Sequence, residues 1–106
     1  GQQARSLCYV DDEIQGFIKL MEHPDYHLPV NIGNPDEVTL LGIAEEIKEI
    51  TGSKSAIIRT PLPPDYPKQR CPDTSLAKKL LGWEPKVPRK EGLKNTIEFY
   101  KKQLGL

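Results

Sequence analysis

Sulfur is scarce in this 106-residue chain, which has two cysteines and one methionine. Cys8 and Cys71 show neither a CxxC spacing nor the framework of four or more that staples small secreted domains. A disulfide scaffold or a zinc ribbon is therefore not expected, and a reducing cytoplasm fits better. An excess of charge of either sign is also missing. Fifteen Lys and Arg balance 15 Asp and Glu, with a pI near 6.9. A protein that grips the phosphate backbone carries a basic surplus, so no nucleic-acid partner is expected. No apolar run approaches the length of a membrane span, and no signal peptide is visible, so no membrane partner is expected. The first residue is Gly rather than Met, which suggests a segment of a longer protein.

Reaction chemistry is equally sparse. There is no GxGxxG or GxxGxxG dinucleotide fingerprint and no P-loop. No Ser/His/Asp or Cys/His arrangement stands out. His23 and His27 are four apart, but Pro24 lies between them, so they do not form a helical metal pair. Cys8 sits in an apolar run and reads as a small core residue. Cys71 lies beside Arg70, and one cation is thin support for an activated thiol. Asp11, Asp12 and Glu13 read most simply as a helix start.

Proline, in contrast, is plentiful, with ten residues. Pro63, Pro64, Pro67 and Pro72 brace one loop, because each ring fixes φ and restrains the residue before it. That loop presents Arg70 at a reduced entropy cost. It runs into Asp73, which can cap a helix carrying Leu76, Ala77, Leu80 and Leu81. Gly82 ends that helix, and Trp83 follows. Arg70 reads either as a solvated loop charge or as an anion ligand.

The rest of the chain alternates short β-type runs with amphipathic helices. Arg5 to Val10 reads as a short strand or extended run. Asp12 to Glu22 places Ile14, Phe17, Ile18 and Met21 on one stripe, with Leu20 widening it. Gly16 interrupts this helix at a cost of roughly 1 kcal/mol against Ala. Pro29 to Gly33 reads as a second strand, with Val30 and Ile32 on one side and Asn31 between them. Asn34-Pro35-Asp36 is turn chemistry. Thr39 is a plausible N-cap for Leu40 to Thr51, where Leu40, Ile43, Ala44, Ile47 and Ile50 form a stripe and Glu45, Glu46, Lys48 and Glu49 face water. Gly52 sits where a C′ glycine belongs. Ala56 to Thr60 reads as a third strand. A last helix, about Lys90 to Leu104, points Leu93, Ile97, Tyr100 and Leu104 inward. The expected architecture is α/β, with about four helices and three short strands. So few strands do not make a self-sufficient parallel sheet, which suggests a sheet completed from outside the chain.

Several motifs together carry a resemblance. RSLCYVDDEIQG, Arg5 to Gly16, resembles the RSFCYVxDLxxG segment of extended short-chain dehydrogenase/reductases that act on nucleotide sugars. VNIGNP, Val30 to Pro35, resembles the strand and turn that follow. QRCPDTSLAKKLLGWEP, Gln69 to Pro85, resembles the QRxPDxxxAxxxLGWxP signature, and Val87 to Phe99 resembles the closing VPLxEGLxxTIxYF helix. Within that family the chain is most similar to the UDP-glucuronate decarboxylases. The resemblance runs in order along nearly the whole chain and covers about the C-terminal third of such an enzyme. The Rossmann half and the Tyr-x-x-x-Lys pair lie outside it.

The resemblance implies the C-terminal substrate-binding portion of an extended Rossmann-type dehydrogenase/reductase. Residues 1–36 would pack on a missing N-terminal Rossmann half, and residues 37–106 would form mainly the small substrate domain. Arg5 and Arg70 match the two arginines that contact the nucleotide-sugar diphosphate. Asp73 matches an Asp near the ribose hydroxyls, and Leu7 stands where an aromatic often flanks the nucleoside. The implied partner is a UDP-sugar, UDP-glucuronate foremost, and the intact enzyme would be a homodimer. The implied reaction oxidises C4 of the sugar with NAD, releases CO2 and re-reduces the intermediate. NAD belongs to the intact enzyme and is not expected to bind this segment alone. A 4,6-dehydratase or 4-epimerase segment and a stand-alone binding module are the alternatives. Four positions depart from the family pattern: Tyr66 replaces an acid, Gly42 replaces a Glu, Glu13 replaces an apolar residue and Arg89 replaces a Leu.

Overall fold

The computed structural model describes residues 2–106. Its elements, in order, are β1 (Ala4–Ser6), α1 (Val10–Glu22), β2 (Glu37–Thr39), α2 (Leu40–Thr51), α3 (Ser75–Leu81) and α4 (Arg89–Leu104). All four helices fall where apolar periodicity predicts them. Thr39 caps α2, its Oγ1 accepting the Gly42 N–H at 3.0 Å. Gly52 and Gly82 end α2 and α3 with φ of 68° and 63°, a left-handed conformation that favours glycine. Asn34 Oδ1 accepts the Asp36 N–H at 2.9 Å, forming the turn its sequence suggests.

The strands differ from expectation. Two are present among the described residues, not three. β1 pairs antiparallel with β2 in the register Ala4↔Thr39, Arg5↔Val38, Ser6↔Glu37. β2, with its three residues, is too short to show an alternating pattern. Residues 29–33 and 56–60 have strand-like composition but form no ladder. A strand needs a neighbour for its N–H and C=O groups, and neither run has one among the described residues. Val10, expected at the end of the first extended run, is already the first residue of α1.

Helix α1 packs on α3, and α2 packs on α4 and β2. The α1–α3 contact centres on Trp83, which is 3% exposed. Its indole Nε1–H donates to the main-chain carbonyl of Asp12 at 2.9 Å. Gly16 lies against the same ring. A Cβ there would sit 2.5 Å from Ile32 Cγ2 and 3.2 Å from Trp83 Cε2, so the missing methyl is what lets Ile32 and Trp83 meet α1. Asp12 does not cap α1, whose N-cap is Tyr9. Its buried carboxylate reaches out of the helix, and Oδ2 accepts the Lys86 and Val87 N–H groups at 3.1 and 2.9 Å.

Arg89 joins α4 to α2. Its Nε and Nη2 donate to the two carboxylate oxygens of Glu46 at 3.0 and 2.8 Å, and Nη1 reaches Asp36 at 3.2 Å. Glu46 therefore faces α4 and not water, a correction to the helical-wheel assignment. The fork geometry suits a carboxylate, which accounts for an Arg where an aliphatic residue would otherwise close the gap. Tyr100 and Leu104, expected inward, are 56% and 69% exposed, because nothing covers the C-terminal half of the α4 stripe.

The molecule is an open slab of 51 × 37 × 19 Å with a radius of gyration of 16.4 Å, against about 13 Å for a folded domain of this length. Its accessible surface is 7998 Å², where a closed monomer of 12.0 kDa exposes about 6,000 Å². Ile14, Phe17, Ile18 and Met21 on α1 are 46%, 50%, 41% and 83% exposed.

Candidate functional site

The proline-braced loop lies along the edge of β1 that β2 leaves open. The Ala4 N–H donates to the Lys68 carbonyl at 2.7 Å, and Ala4 forms a parallel bridge with Gln69. One step further in this register sets Arg5 beside Arg70. Ser6 Oγ donates to the Arg70 carbonyl at 3.3 Å, which holds the loop at that level. Gln69 Nε2 donates to Glu37 Oε2 at 2.6 Å, tying the loop to β2 as well. Two arginines far apart in sequence thus occupy neighbouring positions on adjoining extended runs. Neither is ion-paired with a carboxylate among the described residues.

Their side chains are held differently. Arg5 is half-buried. Its Nη1 and Nη2 donate to the carbonyls of Ala4 and Pro67, each at 2.7 Å, and its guanidinium lies 4.9 Å from the centre of the Tyr66 ring. Arg70 is exposed, and its guanidinium has no hydrogen-bond partner among the described residues. A guanidinium without a carboxylate partner keeps its forked donors for an anion with several oxygens.

Asp73 stands after the loop, at the start of α3. Thr74 is the N-cap but makes no side-chain cap bond. Asp73 does that work: its Oδ1 accepts the Ser75 N–H at 3.0 Å and the Ser75 hydroxyl at 2.7 Å. Those two bonds hold its carboxyl below the ordinary carboxylate range. The Asp73 main-chain carbonyl accepts Asn31 Nδ2 at 3.4 Å. Asn31 therefore pins residues 29–33 to the start of α3. Cys71 makes a parallel tie, its Sγ–H donating to the Pro35 carbonyl at 3.3 Å.

Leu7 lines a cavity of about 590 Å³ between the β1–α1 connection and α4. Tyr9, Val10, Leu93, Thr96 and Phe99 also line it. Gly92 makes room there, since a Cβ would meet the Tyr9 ring at 3.1 Å. The sequence-derived residues therefore form two groups: Arg5 and Arg70 at neighbouring backbone positions beyond the Ala4–Gln69 bridge, with Asp73 three residues further along the same segment, and Leu7 on a cavity. Tyr66 and Asp12 were missed as organising residues. An isolated Tyr in a turn and an Asp in a helix's first turn carry no periodic signal, and their partners are distant in sequence.

Glu13, the acid at an apolar position, points toward Cys8. Its Oε2 is buried without a hydrogen-bond partner among the described residues. Burial, and then the neighbouring carboxylates of Glu13 and Asp12, push the Cys8 thiol up to about 12. Cys8 is thus a thiol and not a thiolate at neutral pH, in accord with its reading as a packing residue.

The described strands are an antiparallel pair, whereas a dinucleotide crevice needs parallel strands and a glycine-rich turn. No helix of the described residues is long and apolar enough to cross a membrane.

No protein-family profile matches the chain. Among curated proteins it is similar to UDP-glucuronic acid decarboxylase 5 of Arabidopsis thaliana, 45% identical over 106 residues, which is all of this chain and 31% of that protein. It is also similar to UDP-glucuronic acid decarboxylase 1 of Danio rerio, 44% identical over 104 residues, or 98% of this chain and 25% of the relative. Among solved structures, UDP-glucose 4-epimerase from Thermotoga maritima with UDP-glucose superposes with a TM-score of 0.90 at 36% identity, covering 98% of this chain and 33% of that one. UDP-glucuronic acid 4-epimerase from Bacillus cereus, in complex with UDP-glucuronic acid and NAD, gives a TM-score of 0.85 at 31% identity over 98% of this chain and 33% of that one. The chain spans about a third or less of these proteins, and it matches the C-terminal part of the decarboxylases.

Proposed function

We propose that this chain, which matches a C-terminal part of UDP-glucuronic acid decarboxylases over its whole length and folds like part of UDP-sugar 4-epimerases, is the nucleotide-sugar-binding portion of an NAD-dependent nucleotide-sugar-modifying enzyme. The observation that carries this reading is the Arg5–Arg70 pair, brought to neighbouring backbone positions by the Ala4–Gln69 bridge and lacking a carboxylate partner among the described residues. Two forked guanidinium groups fit the oxygens of a diphosphate. Asp73 has one carboxylate oxygen outside its cap, which would accept from a ribose hydroxyl, and Leu7 would supply apolar surface for the nucleoside. The reaction would be UDP-glucuronate decarboxylation: oxidation at C4 by NAD, loss of CO2 and re-reduction. NAD and the acid/base pair would come from the Rossmann half.

Residues 1–36 would pack on that half and residues 37–106 would form mainly the substrate side. The exposed apolar face of α1 supports this, as does an excess surface of about 2,000 Å², which is on the scale of an obligate interface. Nothing in the chain supplies hydride chemistry, so the chain alone should show no turnover.

The test is calorimetric titration of UDP into the intact protein. Arg5→Ala and Arg70→Ala should each weaken binding by about 1.5–3 kcal/mol, and Lys at either position should only partly restore it because the fork is lost. Unchanged affinity in both alanine variants refutes the reading. The likeness to UDP-glucose 4-epimerase supports a second reading, epimerisation without decarboxylation. Product analysis with UDP-glucuronate separates the two, since CO2 is released only by the first.

A further inference from the structure

The proline loop contains one conformation that its sequence does not advertise. Asp65 has a φ of 61°, and the Tyr66 N–H donates to the Pro63 carbonyl at 3.3 Å. Proline at the second position and positive φ at the third is the type II turn pattern. The turn delivers the Tyr66 ring onto the guanidinium of Arg5, 4.9 Å away. The next carbonyl, that of Pro67, accepts from Arg5 Nη2, and the Ala4 carbonyl accepts from Nη1. Arg5 is thus fixed by a ring on its face and by two carbonyls at its edge.

We propose that Tyr66 is the positioning residue for Arg5 in nucleoside-diphosphate binding. This rests on the reading of Arg5 as a diphosphate ligand. A guanidinium has five N–H donors, of which the two carbonyls take two, leaving three for phosphate oxygens. The ring attracts the cation through its quadrupole and does not neutralise it. Tyr66 therefore provides orientation while leaving the charge to the ligand. An arginine already held in one rotamer loses less conformational freedom on binding.

The experiment is UDP titration of the intact protein with variants at both positions. Tyr66→Leu keeps an apolar side chain but removes the ring, and should weaken UDP about 3- to 10-fold. Tyr66→Phe should bind like the parent. In an Arg5→Ala background, Tyr66→Leu should have no further effect. In NMR spectra of the 106-residue chain, the Arg5 Nε–H resonance should show a ring-current shift that Tyr66→Leu abolishes and Tyr66→Phe keeps. Parental UDP affinity in Tyr66→Leu while Arg5→Ala is weakened overturns the inference and leaves the diphosphate reading standing. Failure of Tyr66→Phe to match the parent also overturns it, because the hydroxyl rather than the ring would then be at work. If Arg5→Ala itself binds like the parent, the diphosphate reading fails and the inference falls with it.

Discussion

Trp83 and Asp12 are bound to each other through the indole N–H and the Asp12 main-chain carbonyl at 2.9 Å, while the Asp12 carboxylate takes the Lys86 and Val87 N–H groups. One acidic residue in the first turn of α1 thereby anchors the segment that leaves α3 and leads to α4. Asp12→Ala leaves two main-chain donors without their acceptor and should cost about 1–3 kcal/mol. Asp12→Asn keeps one carbonyl oxygen and should cost less. Trp83→Phe loses one hydrogen bond, about 0.5–1.5 kcal/mol, together with the volume of the larger ring. Urea denaturation of the three variants gives these differences, and equal stability of Asp12→Ala and parent would remove Asp12 from its anchoring role.

Gly16 should resist substitution despite its poor helix propensity. Alanine in place of glycine gains roughly 1 kcal/mol in a free helix, but here its methyl would meet Ile32 Cγ2 at 2.5 Å. Overpacking of this kind typically costs about 1–3 kcal/mol. Gly16→Ala should therefore be net destabilising, and Ile32→Ala should relieve part of the loss in a double-mutant cycle. A stabilised Gly16→Ala single variant would contradict the close approach.

The Arg89–Glu46 pair gives the chain an acid-sensitive contribution. Hydrogen bonds from Arg89 are the main cause holding the Glu46 carboxyl below its ordinary 4.5; partial burial opposes them, and the charges of Arg89 and Lys90 assist. Arg89 is itself shifted upward by Glu46 and stays protonated throughout. Because the folded Glu46 is the stronger acid, its contribution is complete above pH 4.5 and is lost as pH falls through the lower folded value. Denaturation midpoints measured from pH 6 down to pH 3 should fall, and Glu46→Gln should flatten that fall. An identical slope in the Gln variant would show that the pair does not hold α2 to α4.

The two thiols should separate chemically. Cys8 is pushed up to about 12, so little thiolate exists at pH 8, and alkylation proceeds through the thiolate. Cys71 is exposed. Limited iodoacetamide treatment of the native chain followed by peptide mass analysis should find the label on Cys71 first. Preferential labelling of Cys8 would mean that the Glu13–Cys8 contact does not persist in solution.

The apolar face of α1 should make the isolated chain self-associate. Four large side chains there are at least 41% exposed, and each Ile, Phe or Met withdrawn from water contributes roughly 1.5–3 kcal/mol. Sedimentation velocity should show concentration-dependent growth in mass, and Phe17→Glu with Met21→Lys should suppress it. A strict monomer at high concentration, with α1 strongly protected in hydrogen exchange, would favour a complete stand-alone module.

What the sequence by itself determined is local. Helices α1 to α4, the Thr39 cap and the glycine ends at Gly52 and Gly82 were legible because a helix bonds residue to residue four apart, so its signals lie within one short window. The order of family-like motifs, and with it Arg5, Arg70 and Asp73 as candidate ligands, was legible for the same reason: motifs are read along the chain. Tertiary structure alone decided which extended runs became strands. Glu37–Thr39 qualified by lying beside β1, and the more β-like Ala56–Thr60 did not, because a ladder bond needs a partner that no local window contains. It also decided that Asp12 serves Lys86 and Val87, that Glu46 turns to Arg89, and that Tyr66 lies on Arg5. Each of these joins residues more than 40 positions apart, where the choice of partner is made by packing and by the need to satisfy buried charge.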